Sequence, residues 1–190
     1  MFLKDLSMLF SLSAIDIAFK DNILYVKKDN YPIKLSEKVN LTNVENRGFA
    51  LNVLEDKPLV KYVPILLTAF LFFRLCKLSL KRKKALERFG LILIIAGSLS
   101  NIYDRLKRGY VVDYIHIDLP FIKEVIFNLA DVYICVGSIT ASFAALFTKN
   151  RGKDSGNGRH TTYNVICPAY ALRILFVCRN GIYDSQYYEA

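Results

Sequence analysis

Between Val125 and Phe147 the chain runs for 23 residues with a single charged side chain, that of Asp131. A helix of that length reaches about 35 Å, enough to cross a bilayer core of about 30 Å. Three shorter apolar blocks precede it, Leu6–Phe19, Leu59–Leu75 and Phe89–Tyr103, of 14, 17 and 15 residues. Hydrophobic residues make up 53% of the 190-residue chain and the mean hydropathy is +0.26, above the usual apolar share of a soluble domain. Lys4, Lys20, Lys61, Arg74 and Arg88 flank the shorter blocks, where long basic side chains can lengthen a span by keeping apolar stems in lipid and charged heads at the interface. The pattern predicts four transmembrane helices, over about residues 2–20, 59–77, 88–104 and 125–147. Buried core helices of a soluble protein are the lesser reading.

Charge placement orients these helices. Cys76–Arg88 carries six Lys/Arg in 13 residues, whereas Asp21–Pro58 carries six in 38 and balances them with six acids. The dense basic loop is therefore expected on the cytoplasmic side, with both ends of the four-helix region inside and the 21–58 and 104–124 connections outside. Lys149, Arg151 and Lys153 agree with that orientation. The net charge of +9 is accounted for largely by topology, and no nucleic-acid-binding motif accompanies it. No small-x-small cleavage site follows the first block and Asp16 interrupts it, so a retained first helix is expected in preference to a cleaved leader. Cys76, Cys135, Cys167 and Cys178 lack metal-ligand spacing and read as packing thiols, with no disulfide framework and no metal site.

Between the helices the period changes. Phe49–Val53 alternates large apolar and small or polar side chains, which suits a half-buried strand, and residues 21–58 read as a small extracytoplasmic β-sheet cradle with Gly48 allowing a close turn. Pro64 falls near the start of the second helix. Gly109 reads as the stop of the third, and Tyr110–Ile117, rich in β-branched and aromatic residues, as an extended segment at the membrane surface. Pro120 punctuates the connection, and the fourth helix is expected to begin near Val125 or Phe127. The fold class is thus all-α membrane protein with a small β element, occupying residues 1–149. Residues 150–160 have a linker composition, and the tail from 150 to 190 has no assigned role.

A carboxylate in hydrocarbon costs on the order of 2.5–3.5 kcal/mol on insertion scales, so it is seldom kept without a partner or a task. Asp113 lies just past one helix and Asp131 about one turn into the next, at similar depth, so both can face one pocket. Two carboxyl groups held close tend to share one proton. That state serves peptide hydrolysis: one member takes a proton from an attacking water, the other donates to the developing oxyanion and later helps protonate the amine. No metal, other cofactor or covalent intermediate is required. The residues alone also admit a structural reading, with Asp131 capping a helix, Asp113 solvated in a loop and Asp104–Arg105 an interfacial ion pair.

NIYDRLKRGYVVDY at 101–114 followed by FNLAD at 127–131 resembles the active-site signature of lipoprotein signal peptidase, the signal peptidase II family. Asp16 and Lys20, spaced D-x-x-x-K, resemble the family's first motif, and NRGFAL at 46–51 its second, Asn-x-Gly-Ala-Ala-Phe. The likeness covers roughly residues 1–149. Ser100 stands where the family usually has glycine, and Phe49 and Leu51 depart from the second motif. The resemblance implies an intramembrane aspartic protease with Asp113 and Asp131 as catalytic dyad. Asn46, Gly48, Asn101, Arg105, Asn128 and Ala130 would shape the pocket or hold the substrate, and Asp16, Lys20 and Asp104 would form polar links near the outer interface. It further implies prolipoprotein substrates, cut on the amino side of a diacylglyceryl-modified cysteine, and a bacterial cell membrane location among membrane lipids, with the active site near the outer leaflet. Two rival readings are a non-catalytic membrane scaffold or chaperone binding lipidated peptides, and a transporter using Asp131 as a proton relay, for which no internal repeat speaks.

Overall fold

Helix α3, Ala85–Lys107, is the axis around which the other helices stand. The computed structural model describes residues 1–27, 30–47, 59–81, 84–119 and 122–151. In chain order these form α1 (Phe2–Tyr25), β1 (Ile33–Lys34), β2 (Val39–Asn46), α2 (Leu59–Leu80), α3, β3 (Val111–Leu119), β4 (Ile122–Phe127) and α4 (Leu129–Arg151). The four strands make one antiparallel sheet in sequence order. α3 packs on α1, α2 and most extensively α4, while α1 touches α2 and α4 only briefly. Leu9, Leu75, Leu91, Ile92, Ile95 and Ala96 form the core between α1, α2 and α3. A second core of Ile23, Val112 and Tyr114 fastens the sheet to the end of α1.

The α3–α4 seam is close because small residues line it. A Cβ added to Gly97 would sit 2.3 Å from the Ala130 carbonyl oxygen, and one added to Gly137 2.6 Å from that of Gly90. Small residues let helix backbones approach where lipid supplies no hydrophobic drive between helices. Gly97→Ala must part the helices beside Ala130, the neighbour of Asp131; we expect a loss of about 1–3 kcal/mol of stability, read as a lower melting temperature in detergent.

Among the described residues two helical stretches are long and apolar enough to cross a membrane, Tyr62–Leu80 and Ala85–Lys107, and Leu129–Ala145 is a shorter apolar helix. α2 leaves Tyr62, Leu66, Phe70 and Phe73 uncovered, a stripe that water would penalise and acyl chains would not.

Several sequence expectations change. The fourth helix begins at Leu129 instead of near Val125 or Phe127, because Ile122–Phe127 pairs with β3, Ile117 opposite Val125 and Ile115 opposite Phe127. A β-branched apolar run satisfies either period, and a partner strand decided it. α1 continues to Tyr25, five residues past the expected end, since Ile23 has the second core to enter. Three of the flanking basic residues make ion pairs within the protein: Lys20 is wholly buried beside Asp16, Arg74 pairs with Glu87, and Arg88 lies 3.2 Å from Asp5. The strand expected at 49–53, Pro120 and all of 152–190 lie outside the described residues. α3 runs to Lys107, three residues past the expected end at 104, and Gly109 follows with a φ of +85° that supplies the left-handed turn after the helix.

Candidate active site

Asn128 is the joint between β4 and α4, and its amide does two things at once. As N-cap its Oδ1 accepts the Asp131 N–H at 3.0 Å, while Asp131 Oδ2 accepts the Asn128 N–H at 3.2 Å. This reciprocal capping box fixes the carboxylate at the third position of α4. The Nδ2 of the same Asn128 donates to Asp113 Oδ1 at 2.7 Å. One residue therefore holds both carboxyl groups. The remaining two oxygens are held likewise: Asn46 Nδ2 donates to Asp113 Oδ2 at 3.0 Å, and Asn101 Nδ2 to Asp131 Oδ1 at 3.0 Å.

Every one of the four oxygens thus accepts from a neutral amide N–H. Amides orient carboxylates without cancelling their charge, so the mutual repulsion of the pair persists and favours a shared proton. Asp113 is 3% exposed. Burial first, and the adjacent Asp131 charge second, push its pKa up to about 7. The Arg105 guanidinium acts electrostatically on both aspartates from the end of α3. Among the described residues Asp131 is half-buried, less enclosed than Asp113.

The family model for signal peptidase (SPase) II matches residues 8–147, a span that includes both aspartates and all three asparagines. The chain belongs to the signal peptidase II family. Similar curated proteins include the lipoprotein signal peptidase of Clostridioides difficile (strain 630), 37% identical over 114 residues that cover 60% of this chain and 74% of that protein. Another is that of Caldanaerobacter subterraneus subsp. tengcongensis, 35% identical over 119 residues, 62% of this chain and 77% of the relative. A solved structure of a bacterial membrane enzyme shares the fold, with a TM-score of 0.66 and 23% identity, covering 82% of this chain and 94% of its own. A second such structure gives a TM-score of 0.59, also at 23% identity, over 80% and 94% of the two chains.

In this signal peptidase II chain the polar links beneath the aspartates are sealed inside protein. Lys20 Nζ lies 2.8 Å from Asp16 Oδ2 and 3.1 Å from Asp104 Oδ2, with all three side chains fully buried. It also donates to Asn101 Oδ1 at 2.8 Å and Ser100 Oγ at 3.2 Å. Lys20 thereby sets the Asn101 amide so that its Nδ2 points at Asp131. Asp104 Oδ2 accepts the Val112 N–H at 3.2 Å, anchoring β3 one residue before Asp113, and its Oδ1 pairs with Arg108. The Ala130 N–H donates to Asp16 Oδ1 at 3.1 Å.

Asp16, Lys20, Asn46, Asn101, Asp104, Asn128, Ala130, Asp113 and Asp131 are thus one connected network, with Arg105 coupled to it by charge; Gly48 lies outside the described residues. Sequence reasoning missed three members. Ser100, noted only as a departure from the family's usual glycine, donates to Asp16 Oδ2 at 2.5 Å. Arg108 bridges Asp104 and Asp21. Tyr114 reaches Asp16 from β3. Strand alternation is the available signal for the last, since it puts Tyr114 on the face opposite Asp113.

Proposed function

We propose that this chain is an intramembrane aspartic endopeptidase that removes signal peptides from prolipoproteins, cutting on the amino side of a diacylglyceryl-modified cysteine. Asp113 and Asp131 are the catalytic pair. The single observation that carries this reading is the attachment of both carboxyl groups to Asn128, one through its side chain and one through its backbone. Held this way, the pair shares one proton. The ionised member accepts a proton from the attacking water, and the protonated member donates to the oxyanion formed at the scissile carbonyl. Collapse of that intermediate passes a proton to the leaving amine and restores the starting state. The macroscopic titration belongs to the pair, so neither aspartate is assigned the proton. Asn46, Asn101 and Asn128 position the carboxylates, and Arg105 offers a cation to the substrate backbone.

The helices span the membrane four times, with the 81–84 connection cytoplasmic and the sheet, Asp113 and the N-terminus of α4 at the outer leaflet. The six Lys/Arg of Cys76–Arg88 support this orientation, as do the uncovered apolar side chains of α2. Residues 1–149 form the peptidase domain. A substrate whose cysteine carries acyl chains is drawn to this depth by about 0.8 kcal/mol per buried CH₂, which concentrates and orients its scissile bond at the pair.

Incubating the purified protein in lipid with the same precursor, with and without its diacylglyceryl group, tests the reading. Release of the signal peptide from the lipidated form only is the expected result. Equal cleavage of both forms would remove the lipid from the recognition scheme, and cleavage of neither would overturn the proposal.

A further inference from the structure

Asp113 and Asp131 sit on different elements, so catalysis needs β3 and α4 to keep a fixed relation. Asn128 ties them on the dyad side of β3. On the opposite face a second tie exists. The Leu129 N–H, at the first position of α4, donates to the Tyr114 hydroxyl at 3.2 Å, and that hydroxyl donates to Asp16 Oδ1 at 3.1 Å. The same Asp16 oxygen accepts the next amide of α4, from Ala130, at 3.1 Å. Tyr114 is 3% exposed and its ring stacks on Phe19 of α1 at 6.4 Å between centroids.

The first amides of a helix have no partner within it and carry the positive end of its dipole, so they attract acceptors and anions. Here three such amides are taken: Leu129 by Tyr114, Ala130 by Asp16 and Asp131 by Asn128. Tyr114 is the side chain of the set that both donates to Asp16 of α1 and accepts from α4. We propose that Tyr114 is a positioning residue of the peptidase: its hydroxyl clamps the first turn of α4 to Asp16 of α1 and so holds Asp131 in register with Asp113 on the adjacent position of β3. This rests on the reading of Asp113 and Asp131 as the reacting pair. Burial and the Asp16 carboxylate raise the phenol above its ordinary pKa, which keeps the hydroxyl protonated as a donor.

Tyr114→Phe keeps the ring and its stack on Phe19 and deletes only the clamp. Small displacements of reacting groups cost rate more than they cost affinity. We expect kcat for the lipidated precursor to fall roughly tenfold with KM within about twofold, rates being normalised to the fraction of enzyme that binds an uncleavable lipidated peptide so that misfolded material does not count. Combined with Asp16→Asn, which weakens the other end of the clamp, the loss should be smaller than the product of the two single losses. Hydrogen exchange at Leu129–Asp131 reads the clamp whether or not the chain cleaves, and should quicken in Tyr114→Phe. Unchanged kcat, unchanged exchange or fully multiplicative losses would each overturn the inference. A wild-type protein that leaves the precursor uncut while exchange still quickens in the variant would sink the proposed reaction and leave the clamp standing.

Discussion

Replacing Asp113 or Asp131 by asparagine is expected to abolish cleavage of a lipidated precursor, a loss of at least the roughly 10²–10⁴-fold that a positioned acid or base contributes, while the protein still inserts and folds. An amide can neither accept the water's proton nor share one with its neighbour. The two variants should differ in stability. Asp113 accepts from Asn46 and Asn128, and among the described residues Asn46 Oδ1 has no hydrogen-bond partner, so turning the Asn46 amide over presents an acceptor to the new side-chain NH₂. Asn101 has no such freedom, because its Oδ1 is held by Lys20. Asp131→Asn therefore leaves a donor facing a donor, and is expected to melt lower than Asp113→Asn.

The stability of Asp113→Asn relative to wild type depends on pH with a definite sign. The Asp113 pKa is raised to about 7 in the folded protein, against about 3.9 for an unperturbed aspartate. A group that binds its proton more tightly when folded contributes its full stability below the unfolded value, and that contribution is lost as pH rises through the folded one. Wild type should therefore lose stability between roughly pH 4 and 7, and Asp113→Asn, which keeps only the Asp131 carboxyl and loses the repulsion between two carboxylates, should lose less over the same interval. Melting curves of both proteins at pH 5 and pH 8 decide this: an advantage for the variant that does not grow with pH contradicts the burial of a proton-sharing pair.

The second large effect concerns Lys20. Its ammonium stands between Asp16 and Asp104, all three fully buried, and removing one partner of a buried ion pair costs about 3–5 kcal/mol because a charge is left uncompensated. Lys20→Met is expected to lose stability of that order and to lose activity besides, since Asn101 loses the donor that fixes its amide toward Asp131. Adding Asp16→Asn should recover part of the stability by removing the charge that Lys20 compensates there, whereas Asp104 keeps its pair with Arg108. Thermal unfolding of the single and double variants in detergent measures this; a double variant no more stable than Lys20→Met would show that the buried charges are not what the lysine compensates.

Much of the candidate site can be read in the chain because its residues fall in short motifs. Asn101, Asp104 and Arg105 lie within two turns of one helix, and Asn128, Ala130 and Asp131 within one turn of another. Their joint presence says that α3 and α4 end at the same place. The part that was not legible is how each is used. Asp131 is open to two readings in the sequence, helix cap or reacting group, and the capping contact with Asn128 is present in the structure. Lys20 looked like an interfacial lysine because D-x-x-x-K carries no information about which side of α1 faces the bundle. Ser100 and Tyr114 gave no sign of belonging to the network because the partner of both, Asp16, is more than 80 positions away.

By itself the sequence determined the lengths of the apolar blocks, the segment in which basic residues gather, the glycine that follows α3, and the pairing of two acidic motifs around a β-branched segment. These are one-dimensional properties: transfer into lipid depends on a run of side chains, orientation on a count of charges, and a helix stop on one glycine. The tertiary structure alone decided that residues 122–127 are strand, that Lys20 is buried between two acids, and that Asn128 serves both aspartates. Each of those outcomes depends on which faces meet, and nearly uniform apolar helices give little indication of their rotation until close-packed glycines and buried polar partners select one.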